Sequence, residues 1–281
     1  MKIGCFSFNT EYGIRADVLA RALEERGFES LWVGEHTHIP AERRTPYPGG
    51  GHLPKPYYHM ADPFVSLAAA AAVTKRLKLG TGVCLVTEHE PIALAKSVAT
   101  LDRMSDGRFL FGIGAGWNVE EMENHGTPGN RRWTVLRQRL AAMKAIWAEH
   151  EASYQAEYVK FERIISYPKP VQKPHPPIIL GSATPQGRQR VAEYCDGWIP
   201  IDVLLKDLPP AIADLRERLK VAGRDPASVP ISIFAFEATE DYLKHCRDLG
   251  TERVVVMVPR RTDDALPFLD KLAPVAARLA A

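Results

Sequence analysis

The chain has 281 residues, 46% of them apolar and 25% charged, with a formal net charge of +2 at pH 7. That length admits two domains or one large barrel, and the apolar fraction is ample for an extended core. Interspersed charge of small net sum excludes a nucleic-acid footprint, and the absence of a run of about 18 apolar residues argues against a membrane span.

The N-terminus, Met1-Lys2-Ile3-Gly4-Cys5-Phe6, reads straight into a strand without signal-peptide anatomy. From there the sequence repeats one pattern of apolar strand, turn and amphipathic helix. Strands are predicted at 2–8, 30–34, 77–83, 108–113, 177–181, 197–201, 230–236 and 253–258. Helices follow near 15–26, 62–75, 91–104, 131–149, 185–195, 206–222, 239–249 and 263–279. In 15–26, Val18, Leu19, Ala22 and Leu23 share a helical face, as do Leu208, Ile212, Leu215 and Leu219 in 206–222. The strands are short and almost continuously apolar ("VVVMV", 254–258), the composition of strands buried on both faces. Eight strand–helix pairs predict a closed (β/α)₈ TIM barrel, one domain over 1–281, rather than an open doubly wound sheet.

Two stretches break the pattern. Residues 37–61 carry five prolines and three consecutive glycines after strand two, on the face where barrel active sites form, and are predicted to be a lid. Gly49, Gly50 and Gly51 are its expected hinge, with Arg43, Arg44 and Lys55 turned outward and Tyr57 and Tyr58 inward. Residues 150–176 end in "YPKPVQKPHPP" and are read as a proline-rich structural insertion anchored at the opposite end of the barrel. Cys5, Cys84, Cys195 and Cys246 are scattered and form no C-x-x-C pair, which predicts reduced structural thiols and a cytoplasmic address.

The segment "RFLFGIGAGWN" (108–118) resembles a dinucleotide-binding turn, but the G-x-G-x-x-G spacing needs a third glycine at 117, where Trp117 stands. Three neighbouring strands end in small residues: "LGTGV" (79–83), "GIGAG" (112–116) and "LGSAT" (180–184). In a barrel those ends line the site, so a broad, flat cofactor lying on bare backbone is predicted. The start of the helix after strand five, with Gly181, Ser182, Ala183, Thr184, Pro185 and Arg188, has the composition of an anion site.

The segments "LWVGEH" (31–36), "LGTGVCLVTEHEPIALAKSVATLDRMSDGRFLFGIGAGWNVEEM" (79–122) and "PPIILGSATPQGRQRVAEYCDGWIP" (176–200) resemble the bacterial luciferase-like monooxygenase superfamily, nearest its coenzyme F420-dependent branch. The resemblance is continuous from residue 3 to about 200. It implies a (β/α)₈ barrel binding a deazaflavin at the strand ends, with hydride passed between coenzyme F420 and a small organic substrate. An FMN-dependent two-component monooxygenase, served by a reductase in trans, is the alternative. It further implies a non-prolyl cis peptide at Gly82–Val83 supporting the ring, His36 near the ring as the catalytic acid–base group, and cofactor contacts from Phe8, His36, Gly82, Val83, Gly114, Ala115, Gly116, Trp117, Gly181, Ser182, Ala183 and Arg188. Where some sugar-phosphate dehydrogenases of the branch have an acid, this chain has Trp117, which argues against that substrate; Glu120 or Glu121 is read as a helix-capping acid. Tyr57, Tyr58 and Glu88 are assigned to the substrate pocket. The alanine-rich "FVSLAAAAAV" (64–73) permits close helix approach and, with the family habit, implies a homodimer.

A metal-dependent TIM-barrel hydrolase is the remote alternative, suggested by "EHTH" (35–38), His52, His59 and "EHE" (88–90). Its further ligands are missing from the later strand ends, "GSAT", "IPID", "EATE" and "VPRR", so no metal site is predicted. A non-catalytic binding barrel is a further alternative.

Overall fold

A computed structural model describes residues 1–236 and 238–280; Glu237, in the "EATE" segment, lies outside the described residues. The strands are β1 Lys2–Ser7, β2 Ser30–Val33, β3 Lys78–Thr81, β4 Cys84–Leu85, β5 Phe109–Gly114, β6 Ala152–Gln155, β7 Lys160–Ile164, β8 Ile178–Leu180, β9 Gly197–Trp198, β10 Ser232–Ala235 and β11 Arg253–Met257. The helices are α1 Ala16–Glu25, α2 Pro63–Val73, α3 Pro91–Met104, α4 Val119–Asn124, α5 Arg132–Ala148, α6 Pro185–Tyr194, α7 Leu208–Val221, α8 Glu240–Asp248 and α9 Thr262–Ala280.

Eight parallel strands run in the order β10-β11-β1-β2-β3-β5-β8-β9, and β4 adds to β5 beyond the end of β3. Isolated parallel bridges Trp198–Ile231 and Ile201–Phe234 link the last strand back to the first. This is the predicted barrel. Several helix starts follow one local rule, a capping side chain before proline. Asp62 accepts from the Val65 amide before α2, Glu90 from Ile92 and Ala93 before α3, and Thr184 from Gly187 before α6.

The insertion holds an element the sequence reading did not anticipate, the antiparallel hairpin β6–β7. Helix α4 is a short turn of helix ahead of the one expected near 131–149. The proline-rich strap after the hairpin has cis bonds before Pro168 and Pro174. Buried Asp102 pins it by accepting from the Gln172 backbone and side-chain amides, and Gln172 also donates to the Phe109 carbonyl at the start of β5. The strap thus crosses the N-terminal end of the barrel. Arg108 clamps the same end, donating to the carbonyls of Ala71, Thr74 and Leu77. The "LDRMSDGR" part of the most family-like segment is therefore structural in this chain.

The barrel interior is filled rather than hollow. Trp32 is fully buried and packs with Phe6, Leu110, Ile179, Ile199, Phe234 and Val255. A Cβ added to Gly80 would lie 2.4 Å from the Trp32 ring, and one at Gly112 would lie 2.0 Å from the Thr81 carbonyl oxygen and 3.1 Å from the same indole. These glycines make room for a tryptophan of the protein itself, not for a cofactor.

Candidate active site

At the C-terminal ends of the strands the Gly82–Val83 peptide is cis, as the resemblance implied. Both residues are half-buried and form the floor of the mouth. Gly114 and Gly181 flank Val83 so closely that a Cβ on either would lie 2.7 and 2.9 Å from its methyl groups. Gly114 is consequently buried beneath Val83, and Ala115 is buried with its carbonyl accepting from the Thr87 hydroxyl. Gly114 thus seats the bulge, and Ala115 is tied to Thr87. Gly116, at φ +74°, turns the chain toward Trp117, a conformation glycine adopts without strain.

The lid is docked at both ends. The Glu120 carboxylate accepts from the Arg44 and Thr45 amides and the Arg44 guanidinium. Burial alone would raise the Glu120 pKa, but these hydrogen bonds hold it down at about 2. Glu120 thus anchors the lid and caps no helix. At the other end Ala61 donates to the Asn9 carbonyl, and the Asn9 side chain donates to Ala61 and Ser66. Gly49–Gly51 form the exposed turn, while Leu53 is buried.

Beneath the lid is an aromatic cluster. Tyr57 packs against Phe8 at 5.5 Å, His36 at 5.3 Å and Tyr47 at 5.3 Å, and its hydroxyl lies 3.2 Å from that of Tyr47. Trp117 lies 5.8 Å from His36, with the Arg43 guanidinium over its ring. Tyr58 is 54% exposed. Lys55 sits over Tyr12 instead of reaching toward the mouth.

His36 follows β2, and its side chain is almost entirely buried. Its Nδ1 lies 2.7 Å from Oε2 of Glu121, a fully buried carboxylate on α4. Sequence reasoning missed this partner by reading Glu121 as a helix cap; only the packing of α4 against the β2 loop brings the two together. Glu88, assigned to the substrate pocket, is buried beside Glu121 and Glu35, with both carboxylate oxygens closed off from solvent and Oε1 close to Gly116; a cleft of about 500 Å³ lies between the Val86–Glu88 turn and the β6–β7 hairpin. Burial first, then the Glu121 and Glu35 charges, push its carboxyl far above the ordinary range.

Ahead of α6, Gly181, Ser182 and Ala183 are half-buried at the rim. Arg188 is buried: it donates to Asp214 of α7 and to the Ala183 carbonyl, and lies over Trp198. Its guanidinium holds the loop in place and does not reach into the mouth, which corrects its assignment as a cofactor ligand. Glu35, Cys84 and His89 come together as a three-residue group of metal-ligand types. Both Glu35 oxygens already accept, from the Leu85 amide at 2.6 Å and His89 Nε2 at 2.8 Å, and burial pushes the Cys84 thiol well up. That bonding makes the group a buttress for the β4 turn.

A family model described as luciferase-like monooxygenase matches residues 10–250. An uncharacterized protein of Mycobacterium tuberculosis is 42% identical, over 97% of this chain and 98% of the relative. The F420-dependent hydroxymycolic acid dehydrogenase of M. tuberculosis is 26% identical over 75% of this chain and 55% of its own length. The oxygenase component of the flavin-dependent trigonelline monooxygenase of Acinetobacter baylyi is 30% identical over 61% and 43%. The chain thus spans about half the length of these two characterised relatives. A monooxygenase from Streptomyces bottropensis shares the fold at a TM-score of 0.80, 18% identity and full coverage of both chains. An F420-dependent secondary alcohol dehydrogenase does so at 0.76 and 18%, covering 98% of this chain and 97% of its own. With a family match over most of its length and a relative similar from end to end, the chain belongs to the luciferase-like monooxygenase family.

Proposed function

We propose that this protein is a coenzyme F420-dependent oxidoreductase acting on the hydroxyl or carbonyl of a small organic substrate. The observation that carries the reading is the His36–Glu121 hydrogen bond beneath the aromatic lid. A buried carboxylate on Nδ1 orients the imidazole, leaving Nε2 to exchange a proton with substrate. That is the acid–base partner hydride transfer to or from a carbonyl carbon requires.

The residues present fit a flat ring system. Half-buried Gly82 and Val83 make its floor, Phe8, Tyr57 and Trp117 its walls, and Gly116, Ser182 and Ala183 its rim. The start of α6, with its helix dipole, suits the cofactor phosphate. The deazaflavin, when bound, supplies a ring carbon that takes or gives hydride. In the oxidative direction, His36 Nε2 accepts the substrate hydroxyl proton as the carbonyl forms, and Glu121 balances the imidazolium charge. Tyr57 and the lid exclude water from that exchange.

Arg43 donates to the Thr45 carbonyl and Arg44 pairs with Glu120, so neither decides the choice of cofactor. The choice is tested by titrating the protein with oxidised F420 and with FMN while following each spectrum. Tighter F420 binding with oxygen-independent turnover is expected. Tighter FMN binding with oxygen consumption overturns the reading in favour of a two-component monooxygenase.

A homodimer belongs to the same proposal. Val65, Ala69 and Ala72 of α2 form an exposed apolar stripe at helical spacing, the feature a second copy would cover.

A further inference from the structure

The mouth of the barrel has two unlike halves. Through β3, β5 and β8 the strand ends carry Gly82, Gly114 and Gly181. Through β9, β10, β11 and β1, which complete the circle, large apolar side chains stand instead. Residues two apart on a strand share a face. Phe6, Ile199 and Phe234 pack in the interior cluster around Trp32, so Phe8, Ile201 and Phe236 stand one layer higher on the same inward side. Strand pairing agrees, with Ile201 in register with Phe234 and Met257 with Phe6. This wall reaches the floor of the mouth, since a Cβ on Gly82 would lie 2.9 Å from the Phe234 ring. Phe8 is half-buried against Tyr57, but Phe236 is 63% and Ile201 41% exposed. Val203 and Leu204, on the turn after Ile201, are exposed as well. The Asp202 carboxylate accepts from the Val203 and Phe236 amides, so its charge is met by backbone and it fastens the two loops together. Large apolar side chains gathered in the open mark a binding surface.

We propose that this half of the mouth selects the substrate, and that the substrate is an alcohol or carbonyl compound whose bulk is hydrocarbon, lying on Ile201, Val203, Leu204 and Phe236. The inference rests on the hydride-transfer reading above and names its substrate class. The glycine half has few side-chain atoms with which to grip a hydrocarbon, and the apolar half offers a sugar or a phosphate few hydrogen bonds. The patch continues the inward, concave face of β9 and β10 down to the Gly82 floor, which suits a small molecule better than a second protein. Each methylene buried there strengthens binding about fourfold, so selection grows with chain length.

The test uses the full chain, free of cofactor and ¹³C-labelled at Ile, Leu and Val methyl groups, titrated with straight-chain alcohols from butanol to octanol. Affinity is expected to rise about fourfold per methylene, with NMR shifts centred on Ile201, Val203 and Leu204. Phe236→Ser should weaken octanol binding at least about 10-fold and butanol binding little, and Phe236→Leu should retain most of the octanol affinity. Circular dichroism checks that each variant is folded. Affinity that ignores chain length overturns the proposal, as do shifts centred on Val83 or a Phe236→Ser protein that binds octanol like wild type. A dimer that Phe236→Ser dissociates in sedimentation velocity, with no chain-length effect, assigns the patch to a second copy and overturns it too. Chain-length selection in a protein that binds FMN and not F420 upholds the apolar wall and overturns only the hydride reading. Turnover with F420 in the absence of that selection does the reverse.

Discussion

An imidazole held at Nδ1 by a buried carboxylate is fixed in ring orientation, and for His36 the Tyr57 and Trp117 rings complete the constraint. Such a group is suited to one proton transfer at one atom. On the proposed function, His36→Ala should leave cofactor affinity within a few-fold of wild type while slowing hydride transfer about 10²–10⁴-fold. Stopped-flow absorbance of the cofactor reads this directly, and an unchanged rate would give the histidine a packing role only. His89, by contrast, is tied to Glu35. Burial alone would lower its pKa, but that hydrogen bond and charge hold it above the ordinary histidine value.

Strand ends in this barrel are shaped by fits between glycines and large side chains. Trp32 of β2 occupies space left by Gly80 of β3 and Gly112 of β5, and Val83 occupies space left by Gly114 and Gly181. A methyl at position 80 meets the indole itself rather than a mobile chain end. Gly80→Ala should therefore destabilise the protein by about 1–3 kcal/mol, the usual penalty of overpacking. Chemical denaturation followed by tryptophan fluorescence checks this; a neutral substitution would show that Trp32 moves aside freely. Gly112→Ala should cost more, because the opposing atom is the Thr81 backbone oxygen.

Across the whole molecule the N-terminal end of the barrel is the stabilising face and the C-terminal end carries the candidate chemistry. At the stabilising end, Arg253 of β11 makes two 2.7 Å hydrogen bonds to Glu29 beside β2 and one to Ser232 of β10, tying together strands from both ends of the chain. Burial would raise the Glu29 pKa, but the Arg253 hydrogen bonds and charge outweigh it and hold it below the ordinary value. A carboxylate of lowered pKa stabilises the fold fully above its unfolded value and loses that contribution as pH falls through the folded one. Glu29→Gln should thus cost about 3 kcal/mol at pH 7 in urea unfolding, and the gap from wild type should narrow below about pH 4. A gap independent of pH would count against the ion pair as its source. At the outer surface, Ala69→Glu should convert a dimer to a monomer in sedimentation velocity without shifting cofactor affinity. A wild-type protein that sediments as a monomer at micromolar concentration removes the proposed interface.

Eight buried strands, their helices and the positions of the two long insertions were legible in the sequence, because apolar periodicity and proline-capped helix starts are local properties. Belonging to the family was legible too, through contiguous segments such as 79–122. What the glycines were for was not. Gly80, Gly112, Gly114 and Gly181 announce only that space is needed, and whether Trp32, Val83 or a cofactor fills it depends on side chains from other strands. The His36–Glu121 pair joins residues 85 positions apart through a short helix that carries little periodic signal. Glu88 and Arg188 have the composition of site residues, yet tertiary packing buries one beside Glu121 and turns the other onto Asp214. Residue type states what chemistry a side chain is capable of; the direction in which it points is set by long-range contacts that no local pattern encodes.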